Sequence, residues 1–320
     1  MPGFSADHFR EVHSRIGPHI HRTPLLTSRL LSERTGLEVR LKAEMFQKTG
    51  SYKIRGPLNR FDLLGEEEKA RGVVCSSAGN HAQGVALAAA IHGIPAVVCM
   101  AENATPSKIE ATKAYGAEVV LHGSIWDEAN EKALELVEQR GMTYIHPFDH
   151  PDLVAGQGTL GLEIAEDWPE VEVVVVPIGG GGLISGVSMA VKALLPDTRV
   201  IGVESSGAPA MKRSFDAGQL VTLDEVSCII DGLTVKTCGT YNFKVVQEFV
   251  DDIVTLPDEQ IFEAMLWIMS HCKVVPEGAA SASVAAVLQE KLDLPAGTRV
   301  ACVLSGGNLD LTQMEGLRWN

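Results

Sequence analysis

Aromatic residues make up only 5% of this 320-residue chain, and its six cysteines include no CxxC pair. So few aromatics argue against an aromatic-rich β-sandwich. Cysteines scattered mostly through apolar stretches read as reduced thiols of a cytoplasmic protein, not as a disulfide framework. Basic residues are outnumbered 27 to 41, leaving a formal net charge of -14. A protein that grips phosphate backbones carries a basic footprint, so nucleic acid is not expected as a partner. No uninterrupted apolar run is long enough to span a bilayer, and the opening MPGFSADHFREVHSRI has no signal core. A membrane partner is therefore not expected either, and the location expected is cytoplasmic. Linkers, low-complexity tracts, heptad seams and short repeats are also missing.

What the chain has is glycine, 31 residues of it, and a steady alternation of β-branched runs with helical stretches. VVCSSA (73–78), PAVVCM (95–100) and EVVLH (118–122) alternate with Ala-rich segments at 81–93 and 107–117, each with Gly near its end as a stop signal. A second series follows at 171–177, 199–205, 251–256 and 299–306, with helices expected near 183–195, 258–272 and 278–291. Repeated β-α-β units imply right-handed crossovers and parallel sheets covered on both faces. At about 100–200 residues per domain, the length allows two domains or one large body. Two series suggest two α/β lobes around a cleft. Residues 1–47 can join the C-terminal lobe, which makes 48–146 an inserted small lobe and 1–47 plus 147–320 the large one.

Four segments carry residue types that a fold does not need for itself. PIGGGGLISG (177–186) follows the Val-rich strand and opens a helix. Four successive glycines leave backbone N–H groups bare at a helix N-terminus, which makes a phosphate cradle, although a flexible turn would look similar. A Walker loop is excluded because Gly186 precedes Val187. The GxGxxG dinucleotide pattern fails because its third glycine falls on Ile184 or Ser185. Glu204 does end the next strand, where a ribose-binding acid would stand, so a nicotinamide-dependent dehydrogenase stays open at this point. KTGSYKIRG (48–56) places Lys53 near a helix start, where positive potential would lower its amine pKa and favour attack on an aldehyde. SSAGNHAQG (76–84) and LSGGNLD (304–310) both end strands, where ligands bind in open α/β sheets. Each of the last three also reads as a surface lysine, an N-cap or a simple glycine turn. His146 and His150 flank Pro147 and so share no helix face as a metal-binding HExxH pair would.

Taken together, a lysine nucleophile, a glycine phosphate cradle, an amide for a ring oxygen and a hydroxyl for a ring nitrogen match what pyridoxal phosphate requires. Over almost its whole length the chain resembles the fold-type-II pyridoxal-phosphate enzymes of the threonine/serine dehydratase and serine racemase group. The resemblance rests on HRTPLLTS (21–28), LKAEMFQKTGSYKIRG (41–56), SSAGNHAQGVA (76–86), HPFDHPDLVAGQGTLGLEI (146–164), PIGGGGLISG, DGLTVK (231–236), PEGAAS (276–281) and LSGGNLDLT (304–312). It implies the tryptophan synthase β-like architecture, two parallel-sheet lobes with the cofactor in the cleft, commonly assembled as dimers or tetramers.

By that resemblance Lys53 would bond the cofactor aldehyde and then act as acid and base at the substrate Cα. Gly179, Gly180, Gly181 and Gly182 would hold the phosphate, Asn80 the ring hydroxyl and Ser305 the pyridine nitrogen. Ser77, Asn80 and His81 would lie in the loop for the substrate carboxylate. A serine hydroxyl cannot keep the ring nitrogen protonated as an aspartate would, which suits prompt β-elimination over transamination. The implied activity is an ammonia-lyase that converts L-threonine, and L-serine, to a 2-oxo acid and ammonia. Elimination from 3-hydroxyaspartate or another β-hydroxy amino acid is the alternative. Two departures bear on this choice. The racemases' second acid/base, a Ser before GNH, is Ala78 here, so racemisation should be weak. In the family's divalent-metal site Glu204 and the Ala208 carbonyl fit, but Ala210 stands where a second acid belongs, leaving the identity of any cation open. The chain ends soon after LSGGNLDLT, so feedback control by isoleucine through an added C-terminal domain is not expected.

Overall fold

A computed structural model of the protein describes residues 5–309. Asp310, Leu311 and Thr312, the last residues of the LSGGNLDLT motif, lie outside them. The described strands are β1 (Leu25–Thr27), β2 (Glu38–Ala43), β3 (Val73–Ser76), β4 (Ala96–Met100), β5 (Glu118–Leu121), β6 (Thr143–Tyr144), β7 (Val173–Pro177), β8 (Arg199–Ser205), β9 (Asp252–Leu256) and β10 (Arg299–Leu304). They form a six-stranded sheet in the order β1-β2-β10-β7-β8-β9 and a four-stranded sheet in the order β5-β4-β3-β6. The two sheets are the centres of two α/β lobes. All of β7 is buried, flanked by parallel β10 and β8, as a run of consecutive valines requires. The helices anticipated at 81–93, 183–195 and 258–272 form at Asn80–His92, Gly182–Leu194 and Asp258–Cys272.

The N-terminal edge of the large sheet departs from the sequence reading in two ways. The three-residue edge strand β1 pairs antiparallel with β2. β2 itself, EVRLKA, is a strand that its charges conceal. Lys42 is fully buried there, and the Arg40 guanidinium lies 3.9 Å over the Trp168 ring. A lysine is almost never buried unless it is paired, so an interior Lys argues against a central strand until its partner is known.

That partner is Glu163, 121 residues away on the helix Pro151–Asp167. Lys42 Nζ donates to Glu163 Oε2 at 2.6 Å and to the Thr23 carbonyl at 2.7 Å. The same carboxylate accepts from Arg55 Nη1 at 2.7 Å and Nη2 at 2.9 Å. On its other side Arg55 binds Glu44 through Nε and Nη2, both at 2.8 Å, and Nη1 also donates to Thr159 Oγ1 at 3.0 Å. Two cations and two carboxylates, all four side chains with zero exposure, make an electrically balanced cluster. Burial raises the Glu163 pKa, but Arg55 and Lys42 outweigh it and hold this carboxyl below the ordinary carboxylate range.

Removing one member leaves its partners charged and unpaired in the interior, which costs about 3–5 kcal/mol. Glu163→Ala is expected to lower unfolding stability by that order in urea titrations. Because the Glu163 pKa is depressed, its contribution is present above the unfolded carboxylate pKa and lost as pH falls through the folded value. The gap between wild type and Glu163→Ala should therefore narrow on acidification. A gap that stays constant down to strongly acidic pH would contradict the pairing.

Candidate active site

Lys53 sits in a single 3-10 turn, Tyr52–Ile54, which leads into the helix Arg55–Asp62. Two restraints fix it. The buried Arg55 anchors the chain two residues on, and Gly84 presses on the Lys53 backbone, where an added Cβ would lie 2.5 Å from the Lys53 carbonyl oxygen. The amine Nζ donates to the Pro147 carbonyl at 2.8 Å and lies 5.4 Å from the Tyr52 ring centroid. Desolvation lowers its pKa to about 8, against the opposing pull of the Glu277 carboxylate.

The residue after Pro147 leads directly to the glycine loop. The Phe148 ring fills the space beside Gly180, where an added Cβ would come within 2.3 Å of it. Gly181 caps the helix Gly182–Leu194 with φ +92, a left-handed conformation that disfavours any side chain. On the far flank an added Cβ at Gly179 would meet the Gly232 carbonyl at 2.1 Å, which accounts for the DGLTVK segment lying here. The loop is thus bare because both flanks are packed, and the first N–H groups of the helix have no intrahelical acceptor. Asn242 ties the loop down, its Nδ2 donating to the Gly180 carbonyl at 2.9 Å and the Phe148 carbonyl at 3.0 Å. Asp149 in turn accepts from the backbone N–H groups of Thr240, Tyr241 and Asn242, which open the helix Thr240–Phe249.

Ser305, at the end of β10, is tied to the lysine turn by Tyr52 N–H donating to its carbonyl at 3.0 Å. An isolated antiparallel bridge joins Ser51 to Gly306. Its hydroxyl is engaged by no group among the described residues. Asn80 opens the helix Asn80–His92 and reaches the same strand end. Its Nδ2 donates to Glu277 Oε1 and Oε2 at 2.8 and 2.9 Å, and its Oδ1 accepts from Asn308 Nδ2 at 2.7 Å. Lys53, the glycine loop, Asn80 and Ser305 are therefore linked through chains of one or two intervening residues. Ser77 Oγ accepts from Gly79 N–H at 3.2 Å within the loop before that helix. His81 differs from the others: its imidazole is buried and Nε2 donates to the Ile145 carbonyl at 3.0 Å. Desolvation and the nearby Lys53 push its pKa down to about 3, so the ring is neutral and only its backbone N–H can serve a ligand.

Glu204 stands apart from this group. Its carboxylate accepts from Met211 and Lys212 N–H at 2.9 and 2.7 Å, at the start of the helix Ala210–Ala217. Burial still pushes its carboxyl up to about 8. The Ala208 carbonyl accepts from Ala210 N–H at 3.0 Å. Both candidate metal ligands are engaged within the chain, and among the described residues no group of three metal-binding side chains assembles. Nor is Glu204 free for a ribose, which removes the acid that the dehydrogenase reading needed. The six cysteines are free and five are buried.

Sequence reasoning gave no role to Glu277, Asn308, Asn242, Phe148 or Asp149. Four of them lie inside quoted motifs, Glu277 in PEGAAS, Phe148 and Asp149 in HPFDH and Asn308 in LSGGNLD, but nothing in the residue types told a supporting position from a contacting one. Asn242 lies in no motif, and only the folded chain reveals it.

A lowered-pKa amine, a bare N–H loop at a helix start, an amide and an unengaged hydroxyl form the donor set that an anionic pyridine aldehyde calls for. A protein-family comparison agrees: the model described as pyridoxal-phosphate dependent enzyme matches residues 16–306. The chain belongs to that family, and its cofactor is pyridoxal phosphate. It is 50% identical over 306 residues to the L-threonine ammonia-lyase of Thermotoga maritima, covering 96% of this chain and 76% of that protein. It is 43% identical over 310 residues to the catabolic L-threonine dehydratase TdcB of Escherichia coli, with 97% and 94% covered. Among solved structures, maize serine racemase superposes with a TM-score of 0.92 at 36% identity, over 97% of this chain and 95% of that one. No helix among the described residues is long and apolar enough to cross a membrane.

The amine environment has a direct readout. Below pH 8 Lys53 is mostly protonated and above it mostly free, whereas an ordinary lysine has a pKa of 10.5. Amine-directed labelling of the cofactor-free protein, followed by peptide mass spectrometry, should place the Lys53 midpoint near pH 8. A midpoint above 10 would contradict this account.

Proposed function

We propose that this protein is an L-threonine ammonia-lyase, active also on L-serine, in which Lys53 carries the chemistry. The observation that carries the reading is the Lys53 amine, held at the Pro147 carbonyl one residue from the phenylalanine packed on the glycine loop. The kinship with enzymes named for threonine ammonia-lyase and threonine dehydratase supports the substrate.

Pyridoxal phosphate, when bound, supplies an aldehyde for an amine and a conjugated ring that draws electron density from the substrate Cα. Lys53 Nζ would be the group that holds that aldehyde, and the same amine would serve as the base for the substrate Cα proton. A pKa near 8 keeps enough free amine at neutral pH for both tasks. The N–H groups of Gly179, Gly180, Gly181 and Gly182 would bind the phosphate, Asn80 Nδ2 would donate to the ring oxygen, and the Ser305 hydroxyl would meet the ring nitrogen. Ser77 and the backbone N–H groups of Asn80 and His81 orient the substrate carboxylate. Loss of the α-proton and of the β-hydroxyl as water gives an unsaturated product, which takes up water and yields a 2-oxo acid and ammonia. Ala78 offers no proton on the opposite face, and the Ser77 hydroxyl is turned to the Gly79 N–H, so return of a proton with inversion is disfavoured.

The protein is also read as a cytoplasmic homo-oligomer, a dimer or tetramer. Residues 1–47 and 147–320 form its large lobe and 48–146 its small one. The lobe division is supported by β1 and β2 sharing a sheet with β10 while β3 to β6 form the other.

Purified protein with pyridoxal phosphate should show the visible absorbance of a lysine-bound cofactor. Lys53→Ala should abolish that band and lower turnover by about 10²–10⁴-fold or more. Across L- and D-threonine, L- and D-serine and both 3-hydroxyaspartate diastereomers, 2-oxo acid should form fastest from L-threonine. Strong preference for a dicarboxylic substrate would overturn the assignment, and a colourless protein without affinity for the cofactor would overturn the mechanism.

A further inference from the structure

Glu277 begins the helix Gly278–Leu288 at the large-lobe side of the cleft, and its side chain reaches across to Asn80 on the small-sheet side, 197 residues away. The amide of an asparagine has one face that donates and one that accepts, and either can point at a ligand. Here both choices are forced. The Thr49 carbonyl can only accept, so Asn308 must offer it Nδ2, at 2.8 Å. The same Nδ2 donates to Asn80 Oδ1 at 2.7 Å, which places the Asn80 oxygen on the Asn308 side. On the other side both Glu277 oxygens accept from Asn80 Nδ2, at 2.8 and 2.9 Å. Glu277 is itself held by its N–H donating to the Gly306 carbonyl at 3.0 Å, and an added Cβ on Gly306 would lie 2.7 Å from Oε1. Its carboxylate is therefore lodged against the strand end that also carries Ser305.

We infer that Glu277 is the positioning residue of the cofactor site: with Asn308 it locks the Asn80 amide so that the donor, not the acceptor, is presented to the cofactor's ring oxygen. The inference rests on the assignment of Asn80 to that oxygen. A flipped amide would set a lone pair against an electron-rich oxygen and lose the hydrogen bond. The acceptor oxygens of Glu277 matter here, not its charge. Charge alone would act the other way, since a carboxylate repels an anionic cofactor.

Equilibrium binding of pyridoxal phosphate to cofactor-stripped protein tests this without measuring turnover. Glu277→Ala should weaken binding about tenfold, the loss of roughly one net hydrogen bond. Glu277→Gln, which keeps an acceptor oxygen, should recover most of that loss. In an Asn80→Ala background, Glu277→Ala should change affinity by no more than about twofold, because coupled residues give non-additive effects. Asn308→Ala supplies the second pin and should show the same weakening and the same disappearance with Asn80→Ala, which keeps the test alive if Glu277→Ala does not fold. Tighter binding by Glu277→Ala, equal effects of Gln and Ala, or an undiminished effect without Asn80 would each overturn the inference. Failure of the unsubstituted protein to bind the cofactor would instead remove the assignment beneath it.

Discussion

A guanidinium with no exposure to water is the constraint on which this molecule depends. Arg55 keeps its charge in the interior only because Glu44 and Glu163 clamp it from two sides while Lys42 balances the second carboxylate. Buried ion clusters of this kind are poor sources of net stability, since desolvation consumes most of the Coulomb gain. Their bonds are directional, however, and here they tie strand β2, the turn after it, the Arg55–Asp62 helix and the Pro151–Asp167 helix at one point. Lys53 lies two residues before Arg55. The position of the Lys53 amine is thus inherited from a charge cluster buried beside it in the chain.

Burial strips charge from the imidazoles near that amine, which leaves Glu277 as the acidic group acting on it. His81 is neutral, and burial also lowers His146, whose Nδ1 accepts from the N–H groups of Phe148 and Asp149. Burial thus disfavours the charged form of both rings. In the proposed site an anionic cofactor and an anionic substrate would be met by backbone dipoles instead of an arginine cluster. That suits a chain with 41 acidic and 27 basic residues, because the attraction is local and owes nothing to the overall field.

Much of this was legible in the sequence, and the exceptions share a cause. The valine run of β7 and the Gly-terminated helices announced the parallel layers, since burial on both faces leaves a continuous apolar signature. β2 did not, because Arg40 and Lys42 disguise a central strand: Lys42 is paired with Glu163 far away in the chain, and Arg40 is covered by the Trp168 ring. Lys53, the four glycines, Asn80 and Ser305 stood out because each interrupts a regular element with a residue that packing alone would not select. Glu277, Asn308 and Asn242 stayed silent, for they serve by holding another polar group. Glu204 read as a ligand for a ribose or a metal, yet its carboxylate closes the start of a helix, a partnership no spacing rule reveals.

The strand order carries one further meaning, for how the chain reaches this state. The last strand, β10, lies inside its sheet, with β2 on one side and β7 on the other. Until residues 299–304 emerge, the antiparallel pair β1–β2 has no place to dock and the sheet is split in two. The tie between Tyr52 and Ser305 spans the same interval. A nascent chain therefore exposes unpaired strand edges until residues 299–304 have been made, and contacts this remote in sequence form slowly. The surroundings of Lys53 accordingly wait for one inserted strand, which closes the sheet and fixes the Tyr52–Ser305 tie together.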